Sequence, residues 1–75
     1  MKGFFLVYDV EHGYDGEILS QIPEKAFSTY EKALEYITDK EWEHLGLEDY
    51  RSYKECLEKM KVRSDEYIEY IPVIE

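Results

Sequence analysis

The chain has 75 residues and a formal net charge of −9, because 18 Asp and Glu outnumber nine Lys and Arg. This charge argues against direct binding to nucleic acid, where Lys and Arg must neutralise phosphates. The length allows one domain but leaves little room for an enclosed active site beside the core. A hydrophobic fraction of 44% predicts a folded protein rather than a disordered acidic tail.

Cys56 is the only cysteine, so the chain cannot form an intramolecular disulfide or a zinc site built from several cysteines. The first residues carry a short apolar stretch interrupted by Asp9, which is too short and too acidic for a signal peptide. No stretch approaches the length of a membrane span. We therefore expect a cytoplasmic protein, a single domain over residues 1–75, with no cofactor.

Two strands are predicted in the first 23 residues. Residues 3–10 are rich in aromatic and β-branched side chains and are apolar on both faces, which is typical of a central strand. Glycines at positions 13 and 16 predict a loop of about six residues. Residues 17–22 predict a second strand that Pro23 ends, so the two strands form a β-hairpin.

The next segment carries the clearest helix signal. Ser28 and Glu31 form a capping-box pattern, in which the Ser28 hydroxyl accepts a hydrogen bond from the amide of Glu31. Apolar residues then recur at helical spacing as far as Leu45. Gly46 follows them, where it is placed to end the helix as its C′ residue.

A second helix is predicted from Glu48 or Asp49 to Val62, with Cys56 flanking its buried face. That face consists of Tyr50, Tyr53, Leu57 and Met60. Residues 65–74 predict a third strand. Because Pro72 lacks an amide donor, this strand should lie at a sheet edge or end its pairing near Pro72. The order β-β-α-α-β defines an α+β fold, with two helices packed on one face of a three-stranded sheet.

Two helices can cover only one face of such a sheet, although the first strand is apolar on both. Tyr67 and Tyr70 fall on opposite faces of the predicted third strand. A large contiguous apolar patch is unusual on a soluble monomer. We therefore expect the open face to meet a second copy or another protein, or its aromatic side chains to lie flat on the sheet.

The acidic hairpin is the main candidate for chemistry. Four acids lie in nine residues around His12, and oxygen ligands of this kind suit Ca²⁺ or Mg²⁺. The spacing departs from the EF-hand loop, however, since Gly13 and Ser20 stand where ligands belong. No nucleophile–base pair or glycine-rich phosphate loop occurs, and we expect neither a catalytic nor a metal site.

The negative charge is unevenly distributed. Residues 64–75 carry four acids and no base, whereas residues 46–63, which include most of the second helix, carry four acids and five bases. Tyrosine is enriched where proteins bind proteins. The predicted partner-binding residues are the acids and tyrosines of the hairpin, first helix and last strand: Asp9, Glu11, Tyr14, Asp15, Glu17, Tyr36, Glu66, Tyr67, Glu69 and Tyr70.

Residues 26–33, AFSTYEKA, followed by Glu35, Tyr36 and Ile37, resemble an element of small bacterial and phage proteins. Those proteins begin with an aromatic strand, cross an acidic turn, and enter a helix through F-S-[ST]-x-E-K-A. They end in an acidic strand similar to residues 65–70. The resemblance spans residues 3–37 and 65–71, with no counterpart for residues 38–64. It implies this fold and a phage or mobile-element context, but no activity.

Together these features favour a small acidic protein-binding module rather than an enzyme. The leading hypothesis is a phage-type inhibitor that mimics nucleic acid and occupies a basic surface of a host or defence protein. One alternative is an accessory domain that forms a homodimer through its open sheet face. Another is a module that binds a metal or small ligand at hairpin residues 9–17.

Overall fold

The computed structural model describes residues 2–74 and confirms the predicted α+β architecture. Both long helices lie on the same face of one three-stranded sheet. The elements follow in chain order as strand β1 (Lys2–His12), strand β2 (Ile18–Phe27), helix α1 (Tyr30–Asp49), helix α2 (Tyr53–Val62), the short helix α3 (Ser64–Tyr67) and strand β3 (Ile68–Val73).

β1 is the central strand, as its two apolar faces predict. The sheet order is β2-β1-β3, and both neighbours run antiparallel to β1. Phe5 lies opposite Phe27 of β2 and Tyr70 of β3. Successive residues point to opposite faces of a strand, so Phe5 and Val7 lie on one face while Phe4 and Leu6 lie on the other.

The prediction that Pro23 ends β2 is wrong, because the strand continues to Phe27. β2 is an edge strand, where the missing amide of a proline costs no hydrogen bond within the sheet. The register against β1 shifts where Val7 pairs with Lys25 and Tyr8 with Pro23, which leaves Glu24 as an extra, bulged residue.

The turn of the hairpin spans residues 13–17. It is closed by a hydrogen bond from the Gly13 amide to the Glu17 carbonyl, at 2.6 Å. Gly16 has a φ of 85°, in the left-handed region that glycine enters without steric penalty. The glycine signal therefore locates this turn correctly.

The predicted N-cap of α1 is displaced by one residue. Thr29, rather than Ser28, caps the helix, and its hydroxyl accepts a hydrogen bond from the Lys32 amide at 3.2 Å. A Thr at this position satisfies one of the free amides of the first turn. The helix begins at Tyr30, so the capping box involving Ser28 and Glu31 is not formed as predicted.

Gly46 does not end α1, which continues to Asp49. A Cβ atom built at Gly46 would lie 2.6 Å from the indole ring of Trp42, one turn earlier. Glycine is therefore required here for close packing of the indole, not for a left-handed helix end. Because α1 is longer than predicted, α2 begins only at Tyr53, with Ser52 as its N-cap.

The predicted third strand is too long at its start. Residues 64–67 form the short helix α3, and β3 begins at Ile68. The prediction that Tyr67 and Tyr70 lie on opposite faces of a strand is wrong, because Tyr67 belongs to α3. Tyr70 lies against Phe5, with ring centroids 5.0 Å apart, on the face that the helices cover. The edge position predicted from Pro72 is confirmed.

The core lies between the covered face of the sheet and the two long helices. Val7 and Ile68 supply it from the sheet, and Phe5 packs edge-on against Tyr30 of α1 with ring centroids 6.1 Å apart. Cys56 is fully buried rather than flanking the core. The remaining buried residues of the core come from the helices and the turn between them: Ala33, Leu34, Ile37, Tyr50 and Met60.

Candidate protein-binding surface

The end of the hairpin and the start of the last acidic segment lie next to each other. His12 Nε2, at the end of β1, is 3.2 Å from Glu66 Oε1 in α3. The Gln21 side-chain amide of β2 donates to the Glu66 backbone carbonyl at 3.1 Å. Two segments more than 40 residues apart therefore form one region. We call its six acids the acidic flank: Glu11, Asp15, Glu17, Asp65, Glu66 and Glu69.

Glu66 is held in place by a small charged cluster. Arg63 Nε donates to Glu66 Oε2 at 3.2 Å, and its guanidinium lies over the ring of Tyr67. The hydrogen bond from Arg63, followed by that from His12, lowers the pKa of Glu66. Part of the charge of this carboxylate is thus neutralised within the protein. The main role of Glu66 is therefore to hold α3 against the end of β1.

Glu69 is engaged from the central strand. The Tyr8 hydroxyl donates to Glu69 Oε1 at 2.5 Å, and this hydrogen bond raises the pKa of Tyr8. Both residues lie on the open face, because Glu69 is opposite Leu6 in the register. The sequence analysis named Glu69 as a partner-binding residue but did not name Tyr8. The residues around Tyr8 indicated only a strand.

The three hairpin acids of the flank are exposed and carry no compensating charge. Glu11, Asp15 and Glu17 are exposed, as is Tyr14 at the tip of the turn. None of these three carboxylates forms an ion pair with another of the described residues 2–74. This end of the molecule therefore presents uncompensated negative charge to solvent.

Three predicted partner-binding residues lie away from the flank. Tyr70 is on the covered face, and Asp9 lines a cleft between β1 and α1. Tyr36 donates to Glu24 at 2.8 Å, and the same carboxylate accepts from Lys40 at 2.7 Å. The hydrogen bond from Lys40 lowers the pKa of Glu24. The structure thus separates these residues from the acids with which the sequence grouped them.

The open face carries an apolar patch beside the Tyr8–Glu69 pair. Phe4, Leu6 and Ile71 are half-buried there, and Val73 is 41% exposed. Phe4 lies opposite Ile71 and Lys2 opposite Val73, which places these side chains on the same face. The face is apolar at the Val73 end and becomes acidic toward Glu69.

The cleft between β1 and α1 has a volume of about 590 Å³ and was not predicted from the sequence. Buried Val7, Ile37 and Met60 line it, and His12 and His44, the two histidines of the chain, both contribute to its wall. Across residues 2–74, no three His, Cys, Asp or Glu side chains are placed to hold one metal ion.

Cys56 lies in the interior. Its thiol is 3.8 Å from the backbone carbonyl of Thr38, and burial raises its pKa. A thiol in this setting is mostly protonated at neutral pH, which makes it a poor nucleophile. It packs as a small hydrophobic residue between the two long helices.

Comparison of the chain with models of protein families gives no match, and comparisons with curated proteins and with solved structures give none either. Within residues 2–74, no helix combines the length and apolar character that crossing a lipid bilayer requires.

Proposed function

We propose that this chain is a small acidic protein-binding module that occupies a basic surface on another protein. The contact between His12 and Glu66 carries the proposal, because it brings the hairpin acids and the acids of residues 65–69 into one flank. Charges arranged in this way steer a basic partner toward the flank and accelerate association. In its more specific form, which the net charge, small size and eight tyrosines motivate, the partner surface is a nucleic-acid-binding one on a host or defence protein.

The charge distribution supports binding of the partner at the acidic flank. The hairpin acids have no ion-pair partner among residues 2–74, whereas α2 carries Lys54, Lys59 and Lys61 among its ten residues. A basic surface should therefore meet the hairpin and the start of the last segment and leave the outer side of α2 free. Because exposed charges are screened by salt, the complex should weaken as ionic strength rises.

The proposal is tested by capturing partners from a host lysate on the immobilised chain and identifying them by mass spectrometry. The affinity of a purified candidate is then measured by calorimetry at low and moderate salt. A double variant Glu11→Lys and Glu17→Lys should weaken binding by about tenfold or more, as lost charge pairs do. The matched control, Glu55→Lys and Glu58→Lys on α2, changes the net charge equally and should have a smaller effect.

Two results would contradict the proposal. One is an affinity that is indifferent to salt. The other is an equal loss of binding in the two double variants, which would show that only the net charge matters. Circular dichroism of both variants checks that the fold is retained.

Self-association through the open face is a second candidate. The observation that favours it is the apolar patch of Phe4, Leu6, Ile71 and Val73, which neither long helix covers. Light scattering coupled to size exclusion should then show a dimer that Leu6→Lys dissociates. A monomer at all concentrations would eliminate this candidate.

A further inference from the structure

The cleft between β1 and α1 is a part of the molecule that the proposed function leaves unused. Its volume of about 590 Å³ lies within the range of small-molecule binding sites, which is about 300–1,000 Å³. Asp9 and His44 on its wall are exposed, so the cleft opens to solvent. None of the turn residues 13–17 lines it, which places this site at the base of the hairpin.

The floor of the cleft is apolar. Val7 of β1, Ile37 of α1 and Met60 of α2 close it, and all three belong to the buried core. Leu45 and Tyr67 stand on the wall, where both side chains are half-buried. The floor side chains offer no hydrogen bond, so a ligand that reaches them needs an apolar body, such as a ring.

Three carboxylates line the same cleft: Asp9, Glu41 and Glu43. None of them forms an ion pair with another of the described residues 2–74. Glu41 is half-buried, and a partly buried charge is screened less by salt and water than an exposed one. Carboxylates beside an apolar floor favour a ligand that carries a positive charge.

The lysine of the cleft wall is already paired. Lys40 donates to both carboxylate oxygens of Glu24, at 2.9 and 2.7 Å. The hydrogen bond to Glu24 is the main cause that raises the pKa of Lys40, and Asp9 adds a smaller effect. Together with Asp9, Glu41 and Glu43, the carboxylate of Glu24 outweighs this single ammonium group. The wall therefore remains attractive to a cation.

We propose that this cleft binds a small organic cation with an apolar body, of the arylalkylamine class. The ring packs against the floor formed by Val7, Ile37 and Met60, and the ammonium group faces Glu41 and Asp9. The apolar floor and the carboxylates act together, because each alone would hold such a ligand only weakly. The inference goes beyond the proposed function, since it concerns a free ligand rather than the protein contact of the acidic flank.

The test titrates the full-length chain, labelled with ¹³C in its methyl groups, with tryptamine. It is made at about pH 8, where histidine side chains carry little positive charge. Tryptamine should shift the methyl resonances of Val7, Ile37 and Met60 and leave those of Leu6 and Val73, on the open face, unchanged. The dissociation constant should be about 1 mM or lower, as a ligand of this size allows.

Matched ligands separate the contribution of the charge from that of the ring. Tryptophol, which has a hydroxyl in place of the ammonium group, should bind about tenfold more weakly, because it loses the charged contact. Indole-3-acetate, which is negatively charged, should bind more weakly still. Methylammonium, which has no apolar body, should cause no shift at the same concentration.

Variants of the chain test the two carboxylates. Asp9→Asn combined with Glu41→Gln should weaken tryptamine binding by about tenfold and leave tryptophol binding unchanged. Glu55→Gln combined with Glu58→Gln on α2 removes the same charge away from the cleft and should leave both affinities unchanged. Circular dichroism of both double variants checks that the fold is retained.

Three results would each overturn the cation site. One is the absence of methyl shifts at about ten times the expected dissociation constant. Another is equal affinity for tryptamine and tryptophol, which would leave only apolar contact. The third is a set of shifts confined to the hairpin tip, which would show attraction to exposed negative charge alone. Since Glu11 and Glu17 do not line the cleft, none of these results changes the test of the proposed function.

Discussion

The two faces of β1 are similar in sequence but differ in surroundings. Phe5 and Val7 face α1 and α2: Val7 is only 1% exposed, and Phe5 is half-buried but packs against the core. Phe4 and Leu6, one residue away, lie on the open face and remain half-buried. The comparison shows that apolar content alone does not assign a side chain to the core of a small sheet. The position of the helices decides which apolar set stabilises the fold and which is available for binding.

The largest expected effect contrasts one valine on each face. Val7→Ala should lower the free energy of unfolding by about 2–3 kcal/mol, because it removes two methyl groups and leaves a cavity. Val73→Ala on the open face, where the side chain is 41% exposed, should cost well under half of this. Urea denaturation of both variants measures the difference. Equal losses would mean that the open face is covered in solution.

Gly3 tests how closely side chains pack at the end of the covered face. A Cβ atom at this position would lie 2.7 Å from the Ile71 carbonyl oxygen and clash with the ring of Tyr70. Gly3→Ala should therefore destabilise the fold by about 1–2 kcal/mol, because the better strand propensity of alanine offsets part of the clash.

Gly13→Ala is the matched control for Gly3→Ala. Its Cβ atom would meet only the flexible side chain of Glu17, which can move aside. Thermal unfolding of the two variants should show a clearly larger decrease in Tm for Gly3→Ala. A larger decrease for Gly13→Ala would contradict the close packing of Tyr70 over Gly3.

The contact of Glu66 with His12 and Arg63, beside the open face, should make the stability of the fold depend on pH. The pKa of Glu66 is lowered in the folded protein, mainly by Arg63. Its contribution to stability is therefore present above the ordinary glutamate pKa of 4.5 and is lost as the pH falls through the lowered value. Glu66→Gln should be less stable than the unmodified chain at pH 7 and indistinguishable from it in strong acid.

Asp65→Asn provides the control, because Asp65 is exposed and forms no ion pair among the described residues. Thermal unfolding between pH 2 and pH 7 compares the two variants. A stability difference for Glu66→Gln that persists unchanged in strong acid would exclude the ion pair as its source.

The smallest expected effect lies in the helical layer, away from both faces of the sheet. The Tyr53 hydroxyl donates to Asp39 Oδ1 at 2.5 Å, and burial together with this hydrogen bond raises the pKa of Tyr53 to about 12. Tyr53→Phe should cost about 0.5–1.5 kcal/mol, the range for one hydrogen bond.

Because the folded-state pKa of Tyr53 exceeds its ordinary value of 10.0, the contribution is complete below pH 10 and is lost as the pH rises through 12. Ultraviolet titration should show one tyrosine with a pKa near 12, and Asp39→Asn should lower that pKa. A titration curve unchanged by Asp39→Asn would contradict the hydrogen bond.

Local signals in the sequence were sufficient for the element types and their order. Alternation and β-branching located the central strand, helical spacing located both long helices, and glycine located the turn near Gly16. The boundaries were less well predicted where tertiary contacts override local propensity. Pro23 remains within a strand because that strand lies at an edge, and Gly46 remains within a helix because Trp42 packs against it.

The candidate site was predicted only in part, since contacts between distant segments have no local signature. Composition determined that the chain is strongly acidic, and the order of elements determined that two helices cover one sheet face. Only the tertiary structure brought His12 to Glu66 and Tyr8 to Glu69, moved Tyr36 and Tyr70 away from the acids, and placed β2 at an edge of the sheet. The physical reason is that the pairing of β1 with β3 joins residues more than 60 positions apart, and no spacing within the sequence encodes that register.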